Sequence, residues 1–171
     1  MNDFRTYFNP LVPIGRLAFS IFFGGLTCFV IYLLFRDYNT NGLKQYLTII
    51  LGATIFGAIF QMFFKAFITT TKNYLITEQT IEEFNLLTLK TKTIYKDDIK
   101  GFSTSLVPYR IWYFKQIIIY LKDGTKIDIM QFAYFNFKKI KPTLVDKKYN
   151  YLGHESYIWK WVNSRVYKYD E

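Results

Sequence analysis

Few side chains in this sequence are of the types that carry out acid–base, nucleophilic or metal chemistry. There is one histidine, His154, next to Glu155, and one cysteine, Cys28, so an internal disulfide is excluded. A single histidine and a single cysteine do not supply a ligand set for zinc, and adjacency in sequence does not create a catalytic pair. The sequence therefore predicts no catalytic residue, no metal site and no cofactor.

The remaining candidates for chemistry are two acidic pairs, Glu82-Glu83 and Asp97-Asp98, and nine scattered glycines. The acidic pairs are typical of a solvated strand face and a turn, and the glycines form no phosphate-binding loop. We therefore expect that the protein is not an enzyme.

Large aromatic side chains are mixed with basic ones over residues 106–115, LVPYRIWYFK, which include Arg110, Trp112 and Lys115. Trp and Tyr suit the interface of a bilayer, and an aromatic and basic segment also stacks on nucleic-acid bases. A third use for these rings is packing inside a β-sheet core. We interpret the segment as a membrane or partner contact and expect no nucleic-acid partner.

A second basic cluster follows nearer the C-terminus and either binds phosphate groups or is simply solvated. Residues 65–171 carry eighteen basic and eleven acidic side chains, a balance of +7. This balance favours attraction to anionic lipid heads, with compositional drift toward Lys, Ile, Asn, Tyr and Phe as the alternative explanation. The cluster consists of Lys138, Lys139, Lys141, Lys147 and Lys148, of which the first three are assigned to the contact surface.

Two uncharged runs, Leu17–Phe35 and Tyr46–Phe64, must position this basic remainder of the chain. Each run has 19 residues, so a helix of that length spans about 28 Å, close to the hydrocarbon thickness of a bilayer. The runs predict a transmembrane helical hairpin, with a pair of buried core helices, or a signal peptide plus one helix, as the alternatives. The expected segments are a leader over 1–16, helices over 17–35 and 46–64, a loop over 36–45, and a β domain with a helical tail over 70–171.

Small residues recur at four-residue spacing in both runs and predict close helix packing. Packing within the hairpin is the preferred use, and dimerisation is the alternative. Basic residues flanking the runs outnumber those of the loop, which favours both termini in the cytoplasm. The packing residues are Ser20, Gly24, Ala53 and Gly57; the flanking ones are Arg5, Arg16, Lys65 and Lys72, against Arg36 and Lys44 in the loop.

After the second run the hydrophobic period changes from helical to alternating, which indicates strands. The clearest signal is a hairpin over 116–130 that turns at Asp123-Gly124. A short helix is predicted over 136–145, and Pro142 should interrupt it unless it begins a new turn. Helical spacing also predicts a helix in the tail, through Ile158, Trp161, Val162, Arg165 and Val166.

The order of these patterns resembles a family of small bacterial membrane proteins in which a two-helix membrane hairpin precedes a pleckstrin-homology (PH)-like domain. The resemblance covers roughly residues 16–145. It is carried by Tyr74-Leu75-Ile76-Thr77 with Ile81, by Ile94-Tyr95 with Asp98-Ile99 and Phe102, and by Ile119, Leu121, Asp123-Gly124 and Ile127.

Such a resemblance implies a membrane α+β protein whose hairpin is followed by a small antiparallel β-barrel or sandwich with a C-terminal helix. The closing helix is either the stretch after Asn136 or the one after Glu155. We expect a multi-pass protein of the bacterial inner membrane that binds anionic head groups, a partner protein or a second copy. The alternative is an accessory subunit of a membrane complex that docks through the hairpin.

Overall fold

The computed structural model describes residues 3–36, 42–109, 111–161 and 164–169, and the chain divides into two compact units. The helical unit is Pro10–Thr71, and the β unit joins the residues before Pro10 to those after Thr71. The helical unit is therefore an insertion in the sequence of the β unit. Within the leader expected over 1–16, Phe4–Arg5 forms strand β1 and the first long helix begins at Leu11.

The helical unit consists of α1 (Leu11–Arg36) and α2 (Leu43–Thr70), both long and apolar enough to cross a membrane. Each helix extends beyond its uncharged run at both ends. Pro10 and Pro13 do not prevent the early start of α1, because a proline in the first turn removes an N–H that has no intrahelical acceptor. The helix opens with the amide of Ile14 donating to the carbonyl of Pro10, at 3.1 Å.

Small side chains lie between α1 and α2. A Cβ placed on Gly24 would lie 3.2 Å from the ring of Phe60, and one on Gly57 would touch Thr27. Of the other two predicted packing residues, Ser20 is buried and Ala53 is half-buried. Within this chain, Gly24 and Gly57 thus let the two helices approach each other, as close packing in a bilayer requires.

The first sheet of the β unit is antiparallel, with the order β1-β2-β3-β4. Its strands are β1, β2 (Lys72–Ile76), β3 (Thr80–Asn85) and β4 (Lys90–Tyr95). Phe4 pairs with Ile76 and Arg5 with Leu75, so the strands that precede and follow the helical unit are hydrogen-bonded neighbours. The amide of Asn9 extends this attachment by donating to the carbonyl of Ala133.

The second sheet has the order β7-β6-β5-β8. Its strands are β5 (Ile99–Tyr109), β6 (Trp112–Leu121), β7 (Lys126–Met130) and β8 (Tyr151–Glu155). Strands β5 and β8 are parallel, and α3 (Phe137–Asp146) lies in the crossover between β7 and β8. A parallel pair needs such a crossover because a tight turn cannot join it.

The two sheets and α3 share one hydrophobic core. Ile76 and Ile81 come from the first sheet, Ile117 and Ile129 from the second, and Ile140 from α3, each fully buried. The fold is therefore α+β, as expected. The finer expectation of an antiparallel barrel is not met, since the described residues form no closed barrel and include the parallel β5–β8 pair.

The helix predicted for the tail is wrong. Ile158–Trp161 and Ser164–Val166 form an antiparallel pair, β9 and β10, in which Val166 pairs with Ile158 and Arg165 with Trp159. Aromatic and β-branched residues favour a strand here over the helical spacing that they also happen to satisfy. The helix of the β unit is α3, which continues through Pro142.

The predicted hairpin is present in β6 and β7, but its connection is one residue longer than the two-residue turn expected. The amide of Leu121 donates to the carbonyl of Thr125, at 2.9 Å, so residues 122–124 make the turn. Gly124 adopts a φ of +82°, and nothing would lie within 4 Å of a Cβ on it. The need for glycine at this site is therefore conformational and not steric.

Replacing Gly124 with Val should lower the free energy of unfolding of the β unit by about 1 kcal/mol or more, because a β-branched residue resists positive φ. Unfolding is measured by tryptophan fluorescence of the detergent-solubilised chain, since all three tryptophans lie in the β unit. Gly124→Asn is the matched control, because Asn tolerates this conformation and should cost less. Equal stability of the Val variant and the wild type would contradict the turn.

Candidate functional site

A cavity of about 500 Å³ opens beside the β5–β6 hairpin of the β unit. Thr104 and Leu106 on β5 and Ile117 on β6 form one wall, and Phe137 and Pro142 on α3 form another. This volume falls within the range of roughly 300–1,000 Å³ that small-molecule sites occupy. The cavity can therefore admit a ligand larger than a simple ion.

Cationic side chains surround the apolar part of the cavity. Lys115 of β6 and Lys138 and Lys141 of α3 line it, together with His154 of β8. Among the described residues, no aspartate or glutamate lines it. Three ammonium groups without a lining carboxylate create a positive potential, which attracts an anion.

The helical period explains which lysines of the basic cluster reach the cavity. Lys138 and Lys141 are three residues apart and share a helix face, while Ile140 and Leu144 are buried in the core. Lys139 is exposed but does not line the cavity. Lys147 is buried at the end of α3, and its carbonyl accepts a hydrogen bond from Lys96 Nζ, at 2.8 Å.

Tyr151 holds the outer part of the site in place. Its ring centroid is 4.2 Å from Lys141 Nζ, and its hydroxyl is 3.0 Å from Thr104 Oγ1, within hydrogen-bond reach. The bond to Thr104 and, after it, the Lys141 ammonium lower the pKa of Tyr151. Thr104 Oγ1 is also 3.4 Å from His154 Nδ1, so β5, β8 and α3 are linked at this edge of the cavity.

The aromatic segment predicted as a contact lies at the far end of the same hairpin. Leu106 pairs with Lys115 beside the cavity, and Tyr109 pairs with Trp112 at the tip. Lys115 is three positions after Trp112 in the strand, which corresponds to about 10 Å. At the tip Ile111 is 83% exposed and Trp112 65%, so these side chains are not part of the core. Arg110, also predicted here, lies outside the described residues.

Lys115, Lys138 and Lys141, three of the predicted contact residues, are brought together by the fold. Trp112 lies on the same hairpin as Lys115, nearer its tip. Lys139, although it is described, does not line the cavity. Thr104, Gln131 and His154 also line the cavity and were missed. Their separation in sequence offers no signal, because only the parallel β5–β8 pairing brings Thr104 beside His154.

The opposite face of the same sheet contains a buried ion pair that sequence reasoning also missed. Glu155 is 1% exposed and Arg165 7%, and their Oε2 and Nη2 atoms are 3.6 Å apart. His154 and Glu155 lie on opposite faces of β8, as successive strand residues do. The histidine therefore lines the cavity, while its neighbouring carboxylate belongs to a different cluster.

Each partner of this pair has further hydrogen bonds. Glu155 Oε1 accepts from Ser103 Oγ at 2.6 Å and from Tyr120 Oη at 2.7 Å. Arg165 Nη1 donates to Gln116 Oε1 at 2.8 Å. Burial and then the bond to Glu155 raise the pKa of Tyr120, which keeps its hydroxyl protonated as a donor.

Two tyrosine rings, Tyr157 and Tyr167, also lie against the guanidinium of Arg165, with ring centroids 4.8 and 4.9 Å from Cζ. The chain that carries β9 and β10 is thereby fixed over the outer face of the second sheet. With its oxygens and its charge satisfied, Glu155 has the environment of a structural carboxylate and not that of a reactive one.

Comparison with protein-family models, with curated proteins and with solved structures gave no match.

Replacing Arg165 with Met should lower the free energy of unfolding by about 3–5 kcal/mol, because Glu155 would remain as a buried charge without its cation. The double variant Glu155→Gln/Arg165→Met should lose less than the sum of the two single losses, since the two groups interact directly. Lys160→Met removes an exposed cation from the same tail and should change stability by less than about 0.5 kcal/mol. Additive single losses, read by tryptophan fluorescence, would contradict the pair.

Proposed function

We propose that the protein is a non-enzymatic, membrane-anchored binding module whose β unit contacts anionic lipid head groups. The observation that carries the proposal is the hairpin formed by β5 and β6. Its tip exposes Ile111, Trp112 and Tyr113, and its base contributes Lys115 to a cavity with two further lysines. Aromatic rings and ammonium groups are the side chains that favour a bilayer interface with anionic heads.

The connection between the two units supports a contact with the membrane. The β unit is joined to the helical unit at two points, because β1 precedes α1 and β2 follows α2. Since β1 and β2 are hydrogen-bonded to each other, both ends of the helical unit start from one folded domain. A hairpin that spans the bilayer would then have both termini on one side, which we propose to be the cytoplasmic side of a bacterial inner membrane.

Distance also favours the proposal. Strand β2 begins two residues after α2 ends at Thr70, so the β unit cannot move far from the bilayer surface. A lysine feels an anionic surface within about 8 Å at physiological ionic strength, and each contributes about 1 kcal/mol. The PH-like class of the β unit remains part of this proposal, with its two sheets and α3 sharing one core.

The contact is tested with Trp112 as the sole fluorescent reporter, in a Trp159→Phe/Trp161→Phe background of the full chain. Nanodiscs that contain brominated lipid quench a tryptophan that reaches the bilayer. We expect strong quenching in phosphatidylglycerol discs, little in phosphatidylcholine discs, and a loss of quenching as salt rises. The reason is that the contact requires both ring burial and charge attraction.

The matched variants remove the same charge at different places. Lys115→Gln/Lys138→Gln should weaken the contact by about 2 kcal/mol, whereas Lys90→Gln/Lys92→Gln on the exposed strand β4 should leave it nearly unchanged. Absence of quenching in anionic discs at low salt would overturn the proposal and favour an accessory subunit that docks through its helices.

A further inference from the structure

The geometry points to the cavity as a saturable site for one anionic amphiphile, with the acidic head at Lys115, Lys138 and Lys141 and an apolar body against Leu106, Phe137 and Pro142. This proposal rests on the proposed function, because the same lysines serve both. It goes further by assigning a discrete site with its own ligand chemistry in place of a diffuse attraction.

Charge selects the sign of the ligand. Three lysine side chains from two different elements line one cavity, and no described carboxylate lines it. Glu155 follows the lining residue His154 in sequence, but its side chain is on the face of β8 that is directed away from the cavity. There it forms an ion pair with Arg165. A cationic or neutral ligand would leave the three ammonium groups without a counter-charge, so the head is an anion.

The shape of the site requires more than a small anion. Beside the three lysines, which we call the cationic rim, the cavity has an apolar wall. The wall is formed by Leu106, Ile117, Phe137 and Pro142. An inorganic anion would satisfy the rim and leave this wall hydrated. A ligand with an alkyl portion would instead gain about 0.8 kcal/mol for each methylene it buries.

Polar groups between the rim and the wall can orient the head. Thr104 and Gln131 both line the cavity and offer a hydroxyl and an amide. The Gln131 Oε1 atom already accepts from the backbone amide of Lys115, at 3.0 Å, so its side-chain nitrogen is directed away from that bond. A phosphate or carboxylate oxygen is the acceptor that such a donor would bind.

Two sources supply this chemistry: a lipid of the same bilayer, with its head in the cavity, or a soluble phosphate monoester with a short alkyl group. Calorimetric titration of the full chain in phosphatidylcholine nanodiscs with hexyl phosphate, inorganic phosphate and 1-hexanol separates head from tail. We expect saturable binding of hexyl phosphate and binding at least about tenfold weaker for either half. If the source is the bilayer, discs that contain phosphatidic acid will compete with hexyl phosphate; if it is soluble, they will not.

Two variants test the site by different means. Lys138→Gln/Lys141→Gln removes the charge, and Leu106→Trp fills the space without changing charge at a residue that is 41% exposed and therefore tolerant. Both should abolish saturable binding of hexyl phosphate, while Lys139→Gln on the same helix should retain it. No saturable binding to the wild type, or an equal loss with Lys139→Gln, would overturn the proposal.

The outcomes separate this site from the membrane contact. If hexyl phosphate fails to bind while Trp112 is still quenched by anionic lipid, the cavity site is refuted and the proposed function stands. If hexyl phosphate binds while Trp112 is not quenched, the cavity site stands with a soluble ligand and the membrane contact is refuted.

Discussion

The structure of the β unit depends on the burial of strand β6 on both of its faces. Ile117 and Ile119 face the shared core, whereas Gln116 and Tyr120 face the cluster around Glu155 and Arg165. A central strand can be covered in this way only if something packs on each side of its sheet. Here the first sheet and α3 cover one side, and the tail after β8 covers the other.

This arrangement explains why the cavity and the aromatic tip occur together. Strands β5 and β6 extend beyond the core, so the side chains of the last pair, Tyr109 and Trp112, are exposed. At the point where α3 stops covering the hairpin, the core opens into the cavity, and the lysines of α3 reach its rim. Beyond that point Tyr109, Trp112 and Tyr113 are exposed, whereas Phe114 is half-buried and its ring packs edge-on against Phe132, with the ring centroids 5.2 Å apart.

Sequence patterns predicted the parts that depend on local periodicity. The apolar runs identified α1 and α2, and the alternating pattern with its Asp123-Gly124 turn identified the hairpin of β6 and β7. The tail was assigned wrongly because a strand pair with residues such as Ile158 and Val166 also satisfies helical spacing. Helix α1 begins at Leu11, before the uncharged run, because a helix accepts a proline such as Pro13 in its first turn.

Of the candidate site, the sequence could predict the lysines but not the polar residues that join them. Lys138 and Lys141 fall on one helix face by spacing alone, whereas Thr104 and His154 meet only through a parallel pairing between distant strands. Glu155 and Arg165 are separated by a chain reversal that no local pattern indicates. A buried pair of this kind is visible only when the tertiary structure shows what satisfies each charge.

The central claim is that the β5–β6 hairpin and α3 form the surface that meets anionic lipid. Hydrogen–deuterium exchange of the full chain, compared between phosphatidylglycerol and phosphatidylcholine nanodiscs, tests it most directly. The account predicts slower exchange in anionic discs for amides of residues 106–115 and 137–141, and unchanged exchange in β4. Identical exchange in the two lipids over these residues, or protection confined to β4, would contradict it.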